Sequence, residues 1–195
     1  MIRFFAALCK TTLESLSDDD TFNVSTTRFN PNTRRCPKCG TKGKLSYHSK
    51  YTRDVVSIND NDIVESKVSP PRYECGSCVR THALLPANII PYSPYSLRFK
   101  LTVLIAYFER GCTVVEICGR FGIAVSTLYE WKRWFLEHKA LWLGALADLK
   151  TLPLAFARNL LTSTRLGHEL HDFFSRFSYS FMQTHRSKAT RAHPP

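Results

Sequence analysis

The chain has 195 residues, 44% of them hydrophobic, enough for one medium packed domain or two small ones. Its 27 lysines and arginines outnumber 16 aspartates and glutamates, and the formal net charge of +11 favours a polyanionic partner, nucleic acid or an acidic membrane surface. Seven cysteines do not make a secreted disulfide scaffold here, because a chain this long needs no staples and an odd count leaves one thiol over.

Residues 1–32 begin Met1-Ile2-Arg3-Phe4-Phe5-Ala6-Ala7-Leu8-Cys9, a short apolar run followed by Lys10 and Asp18-Asp19-Asp20. Leu8 fills the small-residue position that lipoprotein cleavage before Cys9 would need, so export is not expected. No stretch approaches the roughly 20 apolar residues of a membrane span. A reducing, cytoplasmic compartment fits. A short helix or strand is expected first. A flexible Ser/Thr/Asn-rich lead-in then ends at Asn30-Pro31-Asn32.

Residues 33–80 read as a β module bracketed by two cysteine pairs, Cys36-Pro37-Lys38-Cys39-Gly40 and Cys75-Gly76-Ser77-Cys78. Strand formers recur at Leu45-Ser46-Tyr47-His48, Arg53-Asp54-Val55-Val56-Ser57-Ile58 and Ile63-Val64-Glu65-Ser66-Lys67-Val68. Asn59-Asp60-Asn61-Asp62 is a turn between two of them, lacking the glycine and distal glutamate of an EF-hand loop. Residues 81–95 read as a linker punctuated by Pro86, Pro91 and Pro94, with Ser93-Pro94 as a helix start.

Residues 96–143 are helical by pattern. Leu97, Leu101, Leu104, Ile105 and Phe108 share one face. Thr113-Val114-Val115-Glu116 is a capping box, and Val114, Ile117, Cys118 and Phe121 line the helix it opens. Gly122 suits a tight turn of positive φ, Ile123 plugs it, and Leu128, Trp131 and Phe135 repeat at helical spacing. Residues 144–182 form a helical extension broken at Pro153, and residues 183–195 a basic, disordered tail.

Four thiolates in two CxxC turns are the ligand count of one closed, structural zinc site, here Cys36, Cys39, Cys75 and Cys78. No coordination position is left to activate water, so the site excludes metal-hydroxide chemistry. A thioredoxin-like redox dithiol expects a βαβ pattern, which is absent. Two irregularities stand out. Val79 occupies the place that Gly40 holds in the first knuckle, and the gap of 35 residues between Cys39 and Cys75 exceeds the roughly 15–20 of the commonest spacing. His82 and His48 are reserve ligands, while Cys9, Cys112 and Cys118 read as ordinary small residues.

The segment 113–132 has the layout of a helix-turn-helix, whose second helix lies in the major groove. Its outward set is Val125, Ser126, Thr127, Tyr129, Glu130, Lys132 and Arg133. Ser126 and Thr127 suit base edges or phosphates, Val125 a thymine methyl, Glu130 a cytosine amino group, Lys132 and Arg133 phosphates. Ala124 stands where a capping Ser or Asp is expected, which would move the helix start to Ser126 or Thr127.

The two cysteine pairs and Arg120-Phe121-Gly122-Ile123-Ala124-Val125-Ser126-Thr127-Leu128-Tyr129-Glu130-Trp131-Lys132 resemble the N-terminal part of bacterial insertion-sequence transposases. They also resemble an uncharacterised bacterial domain family of the same layout. The resemblance covers residues 34–143 and implies binding at transposon ends or an operator, with the four cysteines as zinc ligands. It does not extend to strand transfer, since Asp148, Glu169 and Asp172 lie on helical stretches with no room for an RNase H-like core.

The expectation is an α+β protein: a small zinc-ribbon β module followed by an all-α helix-turn-helix bundle. It would be non-enzymatic and bind double-stranded DNA, either alone, as a homodimer, or beside a transposase or recombinase subunit, with no membrane partner. The alternative is a protein-interaction adaptor whose zinc ribbon docks a recombinase or polymerase, with Trp131, Trp134 and Trp142 as anchors.

Overall fold

The computed structural model describes residues 2–4, 29–59, 62–86 and 88–184. Its architecture is α+β, small sheets followed by helices. The strands are β1 (Ile2–Phe4), β2 (Leu45–Lys50), β3 (Arg53–Asn59), β4 (Asp62–Val68), β5 (Pro71–Cys75) and β6 (Thr81–Pro86). One sheet has the order β1-β6-β5-β2, and β3 and β4 form a separate two-stranded hairpin.

One of these strands departs from the sequence reading, and another, β1, falls where a short helix or strand is expected. β6 lies within the stretch whose prolines suggest a linker, and it pairs antiparallel with β5 through Arg72↔Ala83, Tyr73↔His82 and Glu74↔Thr81. Pro86 ends the strand, at the sheet margin where a missing N–H does least harm. β1, from the expected lead-in, pairs parallel with β6 in the register Ile2↔Leu84 to Phe4↔Pro86. Most of the lead-in, Cys9 included, lies outside the described residues, as do residues 60 and 61 of the β3–β4 turn.

The helices are α1 (Leu97–Glu109), α2 (Val114–Phe121), α3 (Val125–Leu143), α4 (Ala145–Lys150), α5 (Pro153–Thr162) and α6 (Leu166–Phe177). Ser96 caps α1 by accepting from the Phe99 amide; Ser93 instead accepts from the Tyr95 amide, two residues upstream of the helix. The capping box opens α2 as expected, the Glu116 carboxylate accepting the Thr113 amide at 2.7 Å and the Thr113 hydroxyl accepting the Glu116 amide at 3.3 Å. The Thr113 amide, joined by the Thr113 hydroxyl donating to the same carboxylate at 2.9 Å, holds the Glu116 carboxyl below its ordinary range. Gly122, at φ 62°, closes α2, and α3 begins at Val125, not later, without a side-chain cap from Ala124. Pro153 starts α5 at a position where its missing N–H has no intrahelical partner to lose.

The helical core gathers Leu97, Leu101 and Leu104 of α1, Ile117 and Phe121 of α2, Leu128, Trp131 and Phe135 of α3, and Phe156, Leu160, Leu170 and Phe173 of the last helices. Truncating a fully enclosed member such as Leu128 to Ala would cost about 2–5 kcal/mol. Residues 180–183 close over this core: Phe181 and Met182 are buried, and Gln183, read from sequence as the start of the tail, is buried too, accepting from the Ser180 amide. Residues 185–195 of that expected tail lie outside the described residues. Within the core, the Met182 amide donates to His138 Nδ1 at 2.8 Å, and Lys100 Nζ donates to the Met182 carbonyl at 3.4 Å while sitting over the Trp131 ring. Trp142 stacks on Phe173, so two of the three tryptophans considered as interface anchors, Trp131 and Trp142, are spent on internal packing.

The hairpin joins sheet and helices. Val56 donates to the Pro94 carbonyl and accepts from the Ser96 amide, making a parallel bridge between Val56 and Tyr95. Ser96 Oγ donates to Ser57 Oγ at 3.1 Å, and Ile58 enters the helical core. Among the described residues no helix is long and apolar enough to cross a membrane.

Candidate functional site

The two cysteine pairs fold as near-copies of one turn. In the first, the Gly40 amide donates to the Cys36 carbonyl at 2.9 Å and the Cys36 amide to Thr41. In the second, the Val79 amide donates to the Cys75 carbonyl at 2.8 Å and the Cys75 amide to Arg80. The turns are tied together by the Gly76 amide donating to the Lys44 carbonyl at 2.8 Å. Val79 therefore does not distort its knuckle. It takes the left-handed conformation of Gly40, φ 52° against 74°, which a β-branched residue rarely adopts.

This geometry brings the four predicted ligands together. All four sulfurs lie within 4.8 Å of one another, with Cys36 and Cys78 at 3.6 Å and Cys39 and Cys75 at 3.7 Å. A tetrahedron with metal–sulfur bonds of about 2.3 Å, the zinc–thiolate length, has edges of about 3.8 Å. A disulfide would need about 2.05 Å, and all four thiols are free. Cys36 and Cys75 are buried against Phe29, Leu45 and Leu84, whereas Cys39 is exposed.

The surroundings favour thiolate on some sulfurs and oppose it on others. The hydroxyl and amide of Thr41 bring Cys39 down to about 6, and the amides of Cys78 and Ser77 lower Cys75. Burial pushes Cys78 up to about 12, with the neighbouring thiols adding to the rise. Four thiolates at this spacing need a cation between them, which a divalent metal would supply. With four protein ligands such an ion has no position left for substrate.

The two reserve histidines part company. His48 sits at the bulge of β2, its Nε2 3.7 Å from a Glu74 carboxylate oxygen, away from the sulfurs. His82 is buried with Nε2 3.3 Å from Cys36 Sγ, a hydrogen-bond distance, and burial lowers its pKa to about 4, keeping the ring neutral. Its place beside a ligand sulfur was not legible from sequence beyond its nearness to Cys78; the pairing of β5 with β6 sets it there. Of the other cysteines, Cys112 is exposed and Cys118 is buried on α2, as its apolar face implies.

On α3, Leu128, Trp131 and Phe135 point inward, while Val125, Ser126, Tyr129, Glu130 and Arg133 are exposed and Thr127 is half-buried. Ser126, Thr127, Tyr129, Glu130 and Arg133 line one shallow concavity. Lys132 is drawn aside: its ammonium donates to the Tyr107 hydroxyl at 2.8 Å and lies over the Tyr107 ring. Five of the seven outward residues thus share one concavity, Val125 is exposed at the start of the helix, and Lys132 is committed to the seam between α1 and α3.

No curated protein and no solved structure matches the chain. The family described as Domain of unknown function (DUF6431) matches residues 36–131, just under half of the chain, from the first metal-site cysteine to the buried tryptophan of α3.

Proposed function

We propose that the protein is a non-enzymatic, zinc-stabilised DNA-binding protein in which α2, the Gly122 turn and α3 act as a helix-turn-helix. The observation that carries this reading is the division of α3. Its inward residues anchor the helix in the core, and its first turns hold Ser126, Thr127, Tyr129, Glu130 and Arg133 around one open concavity with Val125 exposed at the helix start. A rigidly held helix with exposed polar side chains near its N-terminus is the geometry that places side chains at base edges in the major groove. The net charge of +11 supports a polyanionic partner. Ser126 and Thr127 read bases or phosphates, Arg133 holds phosphate, and Lys132 positions α3 against Tyr107.

Zinc is the ion of choice because four thiolates in tetrahedral spacing suit a borderline-soft metal with no redox chemistry. Its role is structural, replacing the large core that a short β module lacks. The resemblance to the N-terminal region of insertion-sequence transposases suggests a bacterial mobile-element or operator role.

Selection of bound sequences from a random duplex pool tests the reading. Enrichment of a motif is expected, and it should change in Ser126→Ala or Thr127→Ala protein. No enrichment would refute it, as would an unchanged motif in both variants. Metal analysis of freshly reduced protein should find about one zinc per chain. The adaptor reading has one observation in its favour, the exposed leucines Leu146 and Leu149 of α4.

A further inference from the structure

The two knuckle segments, residues 33–44 and 75–80, carry Arg34, Arg35, Lys38, Lys42, Lys44 and Arg80, and no acidic residue. Charge spread evenly along the chain would place only two or three of its 27 cations in 18 residues. All six side chains are exposed, and among the described residues none has an ion-pair partner. The fold concentrates them further. Arg35 and Lys42 face each other across a β-bridge, the Arg34 carbonyl accepts from Gly43, and the Lys44 carbonyl accepts from Gly76 of the second knuckle. The six therefore sit exposed on the two tied loops that carry the four sulfurs.

A bland account exists: cations near thiolates compensate their charge. Four thiolates around a divalent ion carry a net charge of roughly −2, which leaves about four cations uncompensated. The nearest acid in sequence, Glu74, lies beside His48. We infer that this end of the metal module is a second DNA contact, a sequence-independent grip on backbone phosphates separate from the α3 face. It rests on the reading of the protein as a DNA-binding protein and assigns to the metal module more than a structural role. The metal would hold the two loops in register so that their cations meet the duplex as one rigid set, without the entropy cost of ordering free loops.

The test compares full-length zinc-loaded protein with a Lys38→Gln/Lys42→Gln/Lys44→Gln variant on a random-sequence duplex over a salt series. Each cation withdrawn from a phosphate takes about 0.9 off the slope of log affinity against log salt, so a fall of about 2–3 is expected. Sequence preference from the random pool should stay as in the parent, and Lys→Arg changes at the same three positions should restore the slope. Unchanged zinc content and melting temperature establish that the fold is intact; if the triple variant loses zinc, Arg34→Gln/Arg80→Gln carries the same comparison. An unchanged slope, while Ser126→Ala still alters sequence preference, overturns this inference and leaves the α3 reading standing. Failure of the parent protein to bind any duplex overturns both. Loss of binding only to anionic vesicles, with duplex binding unaltered, also overturns it and points to a membrane surface instead.

Discussion

Replacing Val79 with Gly should strengthen the metal module. The second knuckle closes with the same amide-to-carbonyl bond as the first, yet holds a β-branched residue at φ 52° where the first has Gly40 at φ 74°. A left-handed conformation costs an L-residue about 1–2 kcal/mol, and glycine gives back about 0.5–1 kcal/mol through the greater freedom of its unfolded chain. Val79 is 72% exposed, so little apolar burial is lost with its side chain. The net gain is about 1 kcal/mol, roughly fivefold in an equilibrium constant. In a module held by metal, binding and folding free energies are one quantity. The gain should therefore appear as tighter zinc in competition with a chromophoric chelator. The reciprocal change, Gly40→Val, isolates the backbone effect, because a Cβ at Gly40 meets nothing within 4 Å. It should lose about 1 kcal/mol, the same left-handed penalty less the entropy saved by removing glycine. Zinc affinity unmoved by either substitution would refute the argument that the left-handed residue strains the knuckle.

Lys100→Met should stabilise the protein at neutral pH. Burial lowers Lys100 from 10.5 to about 8, so between those values the unfolded chain holds more protons than the folded one and wild-type stability rises with pH. The variant's advantage at pH 7, on the order of 2 kcal/mol, should shrink by pH 10; a stability difference that stays flat across that interval would contradict it. Ala124→Ser supplies the hydroxyl that the N-terminus of α3 lacks, at a residue already extended (φ −73°, ψ 149°), and should add about 1 kcal/mol in urea unfolding. No change in midpoint would mean that the terminal amides of α3 are satisfied otherwise.

Features written in local spacing were the legible ones. Two CxxC turns, a Thr-x-x-Glu box, a glycine after an apolar helix face and a proline that breaks the helical extension each report on a few neighbouring residues, and each sits in the fold as read. What sequence missed depends on distant partners. β6 hides among prolines because its strand character comes from pairing with β5 and β1. The burial of Lys100 depends on Met182 and Trp131, and that of Met182 on His138 across the core. Lys132 reads as an outward cation until Tyr107 of α1 is placed beside it. The helix start at Ser93 failed for a local reason: Ser93 and Ser96 both offer a hydroxyl, and only the second faces the helical amides.

The long spacing between the cysteine pairs has a structural cause that bears on how metal and helices communicate. Of the intervening chain, β2 and β5 pair with each other and carry Leu45 opposite Cys75 beside the sulfurs. The hairpin β3–β4 between them belongs to another layer, and it sends Ile58 into the helical core while Val56 and Ser57 bond to the segment leading into α1. A minimal knuckle pair would have no such arm. The extra residues are thus the joint by which the four-cysteine cluster is fastened to the helices, through a hairpin whose two ends continue into β2 and β5. Those strands carry the knuckles at one end, where Leu45 lies opposite Cys75, and meet the hairpin at the other, where Lys50 lies opposite Pro71, so a change at the four cysteines would reach the hairpin through the β2–β5 ladder. The orientation of α1, and through its packing on α3 the face from Val125 to Arg133, would then depend on that ladder as well as on the helical core.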